Sequence, residues 1–134
     1  MSRDYAHDIA DMHYHYGMTK AFDALSGDPE KLKALLKFRL DFIKEELTES
    51  YEAKNADDLV DGLVDIIVVA LGTLDAFQVD ATEAWNRVLE ANMTKVGGIN
   101  PTRPNVFGLP DLIKPVNFQA PTHADNVGML AEIF

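Results

Sequence analysis

The chain has 134 residues, 47% hydrophobic and 25% charged, with 12 Lys and Arg against 22 Asp and Glu and no cysteine. A formal net charge of −10 argues against a binder of phosphate backbones, which needs a basic face, and the lack of cysteine excludes disulfides, thiolate zinc sites and a thiol nucleophile. The N-terminal M-S-R-D-Y-A-H-D-I-A is too polar for a signal peptide, and the longest apolar run, Ile66 to Leu71, is far short of the ~20 residues of a membrane span. Together these features predict a cytoplasmic chain that contacts neither membrane nor nucleic acid. They also predict one domain over residues 1–134, with a helical core over about 2–96 and an extended tail over about 97–134.

In chain order, Tyr5, Ile9, Met12 and Tyr16 recur at helical spacing, and Gly17 can end that helix. His13 and His15 lie two apart and point to different sides, which argues against a metal held by the pair. Residues 18–25 suit a short helical turn. Asp28-Pro29-Glu30 is a helix start, with Asp as N-cap and Pro at the first helical position. From there Leu32, Leu35, Leu36, Leu40, Ile43 and Leu47 keep the helical period to about Lys54. Asn55 suits a left-handed closing residue, and Asp57 or Asp58 caps the next helix.

In that next segment Ile66 to Val69 would also suit a buried strand. Leu59, Val60, Leu63, Val64, Ile67 and Leu71 favour a helix with one broad apolar face, which belongs at the centre of a bundle or in a subunit interface. Gly62 costs up to ~1 kcal/mol there; either another backbone or a ligand comes close, or the glycine is merely tolerated. Asp80-Ala81-Thr82-Glu83 resembles a capping box and opens a further helix through Trp85, Val88, Leu89 and Asn92 to about Lys95. Trp85 suits core or interface better than a base-stacking platform. Prolines at 101, 104, 110, 115 and 121 forbid long helices beyond it, so the tail wraps the bundle or a neighbouring subunit in extended and turn conformations. The fold class is all-α, a bundle of about four to five helices completed by oligomerisation.

The chemistry concentrates between Asp41 and Asp75. Glu45, Glu49 and Glu52 stack on one side of the first long helix, with Glu46 about 100° away. Asp58, Asp61 and Asp65 share a face of the second. If the two helices fold back as a hairpin, these stripes meet, and two carboxylates ~5 Å apart repel by roughly 3 kcal/mol at an effective dielectric of about 20. Divalent ions that prefer hard oxygen ligands, Mg²⁺ or Mn²⁺, would turn that penalty into a binding site. A plain solvated face is the alternative. Against it, Lys44 and Lys54 are the only cations between positions 40 and 86, and the aspartates adjoin an apolar run.

Glu45-Glu46-Leu47-Thr48-Glu49 has the form E-E-x-x-E, followed twelve residues on by Asp61, the first of a pair ending at Asp65. Arg39-x-x-Phe42-Ile43-x-Glu45-Glu46-Leu47-x-Glu49, Met12-His13-Tyr14-His15-Tyr16-Gly17, Leu71-Gly72-Thr73, Asn92-Met93-Thr94-Lys95 and Lys114-Pro115-x-x-Phe118-x-x-Pro121 add to the pattern. In this order the set resembles the MazG-like all-α nucleoside triphosphate pyrophosphohydrolases, relatives of phosphoribosyl-ATP pyrophosphohydrolase, over roughly residues 8–121. One departure stands out: where the family's second motif is E-x-x-D ending at Asp65, the Glu position falls on Gly62, so Asp61 or Asp58 would stand in.

The resemblance implies Mg²⁺-dependent hydrolysis of a (deoxy)nucleoside triphosphate to the monophosphate and pyrophosphate. It implies metals held by Glu45, Glu46, Glu49, Asp61 and Asp65. Catalytic work falls to Glu46, as acceptor of the water's proton, and to Glu49. Phosphate contacts fall to Asn92, Lys95, Arg103 and Lys114. Lys95 also suits a favourable charge at a helix C-terminus. The family builds its site from paired hairpins, which implies a homodimer or homotetramer. Two alternatives stand beside this: a non-catalytic helical bundle that binds a nucleotide or partner, and hydrolysis of phosphoribosyl-ATP.

Overall fold

Local side-chain chemistry starts the helices of the computed structural model, which describes residues 3–103 and 107–134. The Asp4 carboxylate accepts the His7 N–H at 3.1 Å and caps α1, Tyr5–His15. Gly17, in the left-handed region at φ 73°, ends that helix and opens α2, Met18–Asp23. Asp28 accepts the Lys31 N–H at 3.2 Å ahead of Pro29, which begins α3, Pro29–Tyr51. Helix α4, Ala56–Ala76, starts at Asn55, whose side chain accepts the Asp58 N–H at 2.8 Å. Asn55 is therefore the N-cap in place of Asp57 or Asp58, and its backbone is extended (φ −153°), not left-handed. The segment open to helix or strand, Ile66 to Val69, is helical.

Among the described residues the remaining elements are α5, Ala81–Met93, two short strands, β1 (Val96–Gly98) and β2 (Asp111–Ile113), and a 3₁₀ turn at Gly128–Glu132. The strands pair antiparallel with Val96 opposite Ile113 and Gly98 opposite Asp111. The chain is thus mostly helical, an all-α fold with one small sheet; the tail expected to be extended carries that strand β2 and the 3₁₀ turn. Pro104, counted above among the helix-breaking prolines, lies outside the described residues.

Two compact units result. The first joins the chain up to Thr82 with Asp125–Phe134, and the second is Glu83–Ala124. In the first, α3 and α4 form an antiparallel-type hairpin contact along their lengths, α1 and α2 lie on α4, and the 3₁₀ turn packs on α3. Leu32 and Phe77 are fully buried there with Ala76, Val79 and Met129. The second unit holds most of α5 and the β1–β2 ladder.

A buried polar node fastens α1 and α3 to α4. His13 Nδ1 and Asp75 Oδ2 lie 2.6 Å apart, with His13 only 2% exposed. Arg39, also buried, donates from Nη2 to the Val69 carbonyl at 3.0 Å and from Nε to Thr73 Oγ1 at 3.2 Å. Burial pulls the Arg39 guanidinium down from its ordinary value, and Asp75 opposes that shift. Gly72 faces this node: a Cβ there would run into the Arg39 guanidinium and come within 3.3 Å of the His13 ring. Gly72→Ala is expected to cost about 1–3 kcal/mol by overpacking, read as a lower urea midpoint at constant slope. An unchanged midpoint would show that the node yields freely.

The broad apolar face of α4 is partly open to solvent in the single chain. Val60, Leu63, Val64 and Ile67 are between 50% and 63% exposed.

Candidate functional site

The α3–α4 hairpin brings the two acidic stripes together. Glu49 of α3, with Glu52, Ala53 and Lys54 in the turn that follows it, faces Asp58, Asp61, Gly62 and Asp65 from the start of α4 across a groove of about 340 Å³. Helical spacing explains the lining, since residues three and four apart share a face. The crossing is close because Gly62 lacks a side chain: a Cβ there would stand 2.6 Å from Ser50 Oγ, which is itself tied to the Glu46 carbonyl at 2.9 Å. Of the two readings of Gly62, close approach of another helix is the one the structure contains.

Glu46 lies behind this groove, half-buried, with Oε2 shielded from solvent and without a hydrogen-bond partner. Its carboxyl is pushed above the ordinary glutamate range, first by burial and then by the neighbouring negative charges of Glu49, Asp65 and Glu45. Glu45, Glu46, Glu49 and Asp65 are thus electrostatic neighbours. Asp61 enters through the groove wall, as does Asp58. Glu52 and Lys54, which the motif did not assign, also line it; Glu52 was signalled by its i, i+3 spacing from Glu49.

The remaining candidates belong to the second unit. Lys95 follows α5, and Lys114 follows β2. Arg103 is ion-paired with Asp111 at 2.6 Å, and that pairing, with the Leu112 N–H, holds the Asp111 carboxyl below its usual range. Asn92 is half-buried in the last turn of α5.

A donor set of carboxylate oxygens suits Mg²⁺ or Mn²⁺, and the orphaned Glu46 Oε2 fits such an ion as its missing partner. Among the described residues, no three His, Asp or Glu side chains are placed so that they could already hold an ion.

A family model described as phosphoribosyl-ATP pyrophosphohydrolase matches residues 16–92, which include the whole acidic groove. Comparisons with curated proteins and with solved structures gave no match. With more than half of its length matched, and with the acidic hairpin inside the matched stretch, the chain belongs to the phosphoribosyl-ATP pyrophosphohydrolase family, within the MazG-like all-α nucleoside triphosphate pyrophosphohydrolases.

Proposed function

We propose that the chain hydrolyses a (deoxy)nucleoside triphosphate to the monophosphate and pyrophosphate, with Mg²⁺ as cofactor. The convergence of Glu45, Glu46, Glu49 and Asp65 around one half-buried, partnerless carboxylate oxygen carries this reading. Glu45, Glu46, Glu49, Asp61 and Asp65 would hold the metal, with Asp58 at the groove rim. When bound, divalent ions supply charge neutralisation for the triphosphate and Lewis acidity. Glu46, whose carboxyl already favours the proton, accepts one from the attacking water. Gly62 leaves no room for a longer side chain against Ser50, so Asp61 takes the acidic role one position earlier.

Pyrophosphate release from a panel of nucleoside triphosphates and phosphoribosyl-ATP, each with Mg²⁺, tests this. Release from triphosphates supports it; no pyrophosphate from any of them, at ample enzyme, overturns it. Release from phosphoribosyl-ATP alone would select the second reading, which the family match favours. No turnover, but a nucleotide bound, would select a non-catalytic bundle.

Metal removal and pH should act together. A carboxyl held above its ordinary value in the folded chain stabilises the fold most at low pH and loses that contribution as pH rises through its raised value. The metal-free melting temperature should therefore fall as pH rises above the ordinary glutamate range, and this fall should shrink in Glu46→Gln. Mg²⁺ at about 100 times its dissociation constant at pH 8 should restore about 2.7 kcal/mol there, and the same concentration should restore less at pH 5, where protons compete for the carboxylates. Thermal melts with and without EDTA check this; melts indifferent to Mg²⁺ would remove the metal from the proposal.

The exposed face of α4 supports a homodimer or homotetramer formed through this hairpin, since soluble monomers rarely leave such apolar stripes open. Sedimentation at micromolar concentration decides: a lone monomer overturns it.

A further inference from the structure

Two pins join α3 to α4, and acidic residues lie between them. At one, Ser50 packs into the space left at Gly62. At the other, Arg39, only 6% exposed, donates from Nη2 to the Val69 carbonyl at 3.0 Å and from Nε to Thr73 Oγ1 at 3.2 Å. Thr73 Oγ1 donates in turn to the same Val69 carbonyl at 2.8 Å, so both side chains close on one carbonyl of α4. Glu46 follows Arg39 by seven residues, two turns of α3 on the same face, and Asp65 precedes Val69 by four, one turn of α4. Glu46, with its shielded oxygen, and the Asp65 charge that acts on it are thus bracketed by the two pins.

The polar pin has a property that packing lacks. Apolar contact is non-directional and roughly proportional to area, so it tolerates a small slide of one helix along the other. A guanidinium fork holds its donors at fixed angles and needs acceptors at matching positions. A slide of one residue, about 1.5 Å along the axis, stretches and misaligns both bonds. Stability alone does not account for an arginine in this place, since an apolar side chain of similar volume often stabilises as well or better. Nor does its charge act on the acidic pair: the charges that bear on the Glu46 carboxyl are those of Glu49, Asp65 and Glu45.

We infer that Arg39 is a positioning residue: through Val69 and Thr73 it fixes the register of α4 on α3 that brings Asp65 beside Glu46. The inference rests on the metal reading above only in naming what that pair then holds, a divalent cation; the register is a property of the free chain. Metal–oxygen distances tolerate only about 0.2 Å, so a displaced helix is felt as lost affinity.

The chain has no cysteine, so nitroxide labels can be placed on cysteines introduced at Lys37 and Asp57, exposed positions of α3 and α4 outside the groove lining. Pulsed electron resonance on the full chain, diluted with unlabelled protein, reads the distance between them, and Mn²⁺ titration reads the acidic pair. Arg39→Met is expected to shift or broaden that distance by about 1.5 Å or more and to weaken Mn²⁺ binding about tenfold or more. Arg39→Lys, which keeps the charge and loses the fork, should move both in the same direction by less, as should Thr73→Val; these two carry the test if Arg39→Met does not fold. Met129→Ala, which weakens the core around Leu32 and Phe77, should leave both as in wild type. An unchanged distance in the arginine variants overturns the inference. So does a changed distance at unchanged Mn²⁺ affinity, or a Met129→Ala variant that moves both as far. A wild-type chain that binds no Mn²⁺ would remove the metal from the proposed function, and the distance alone would then decide whether Arg39 sets the register.

Discussion

Glu49→Gln should slow pyrophosphate release by about 10²–10⁴-fold while leaving the protein folded. Glu49 is the residue common to both descriptions of the site: it lines the groove beside Asp58, Asp61 and Asp65, and its charge raises the proton affinity of the Glu46 carboxyl. Removing its negative charge takes away a hard oxygen ligand and alters the proton affinity of Glu46 together. The amide keeps the shape of the side chain, and Glu49 is solvent-exposed, so no cavity is opened. Metal-free stability should hold or rise slightly, because one repulsion among like charges is gone. Initial rates with saturating Mg²⁺, beside a melting curve of each protein, measure both effects. A variant that turns over within a factor of three of wild type would show that the acidic hairpin is a scaffold. One that fails to fold would show that Glu49 has a structural part the geometry does not contain. Lys54→Gln offers a contrast, since Lys54 lines the same groove but provides no carboxylate; it should change rate far less.

Gly128→Ala should be strongly destabilising, costing about 3 kcal/mol and lowering the melting temperature by on the order of 10 °C. Gly128 adopts φ +53°, where a Cβ is strained in any L-residue. More decisively, that Cβ would fall on the carbonyl oxygen of Phe77 and within 2.8 Å of the Gln78 backbone. These are main-chain atoms at the end of α4, where the Val79 N–H bonds the Leu74 carbonyl at 3.0 Å and the Gln78 N–H bonds that of Asp75 at 2.9 Å. They cannot swing aside as a side chain does. The neighbouring Met129 N–H also bonds the Phe77 carbonyl at 2.7 Å, so moving the turn would break that bond and lift Met129 from beside Leu32 and Phe77. Met129→Ala, which empties the same place without a collision, should cost about 2–4 kcal/mol. Chemical unfolding of the two variants side by side makes the check. A mild Gly128→Ala with a severe Met129→Ala would mean that the backbone at Phe77 gives way; two mild variants would mean that the C-terminal turn adds little to the core.

Helix order, the caps at Asp28 and Pro29, the stop at Gly17 and the two acidic stripes were all legible from residue spacing. Each rests on interactions within a few positions along the chain. The acidic candidates were legible for the same reason: Glu45, Glu46 and Glu49 are bound to one face region of a helix whatever else the chain does. What spacing could not convey is which surfaces meet. The contact between Gly62 and Ser50 became visible only once α3 and α4 lay together, and it accounts for a glycine that local propensity disfavours.

The assignment of helix ends shows the boundary clearly. Asn55 had the residue type of a left-handed terminus, yet it caps α4 because its side chain reaches the Asp58 N–H, and the chain direction at that turn decides between those roles. His13, Arg39, Thr73 and Asp75 were scattered in sequence, and only the tertiary structure joins them in one buried node, because hydrogen bonds across 30 to 62 positions leave no local periodicity. The tail gave the least away. Its prolines forbade long helices, as observed among the described residues, but the pairing of Val96 with Ile113 and the return of Met129 to the core depend on register and burial that no short window of sequence contains. By itself, then, the sequence determined the helices and the charge they display, which are set by near neighbours; the tertiary structure alone decided which carboxylate oxygen is shielded and partnerless and where the tail comes to rest, because burial is a property of distant segments brought into contact.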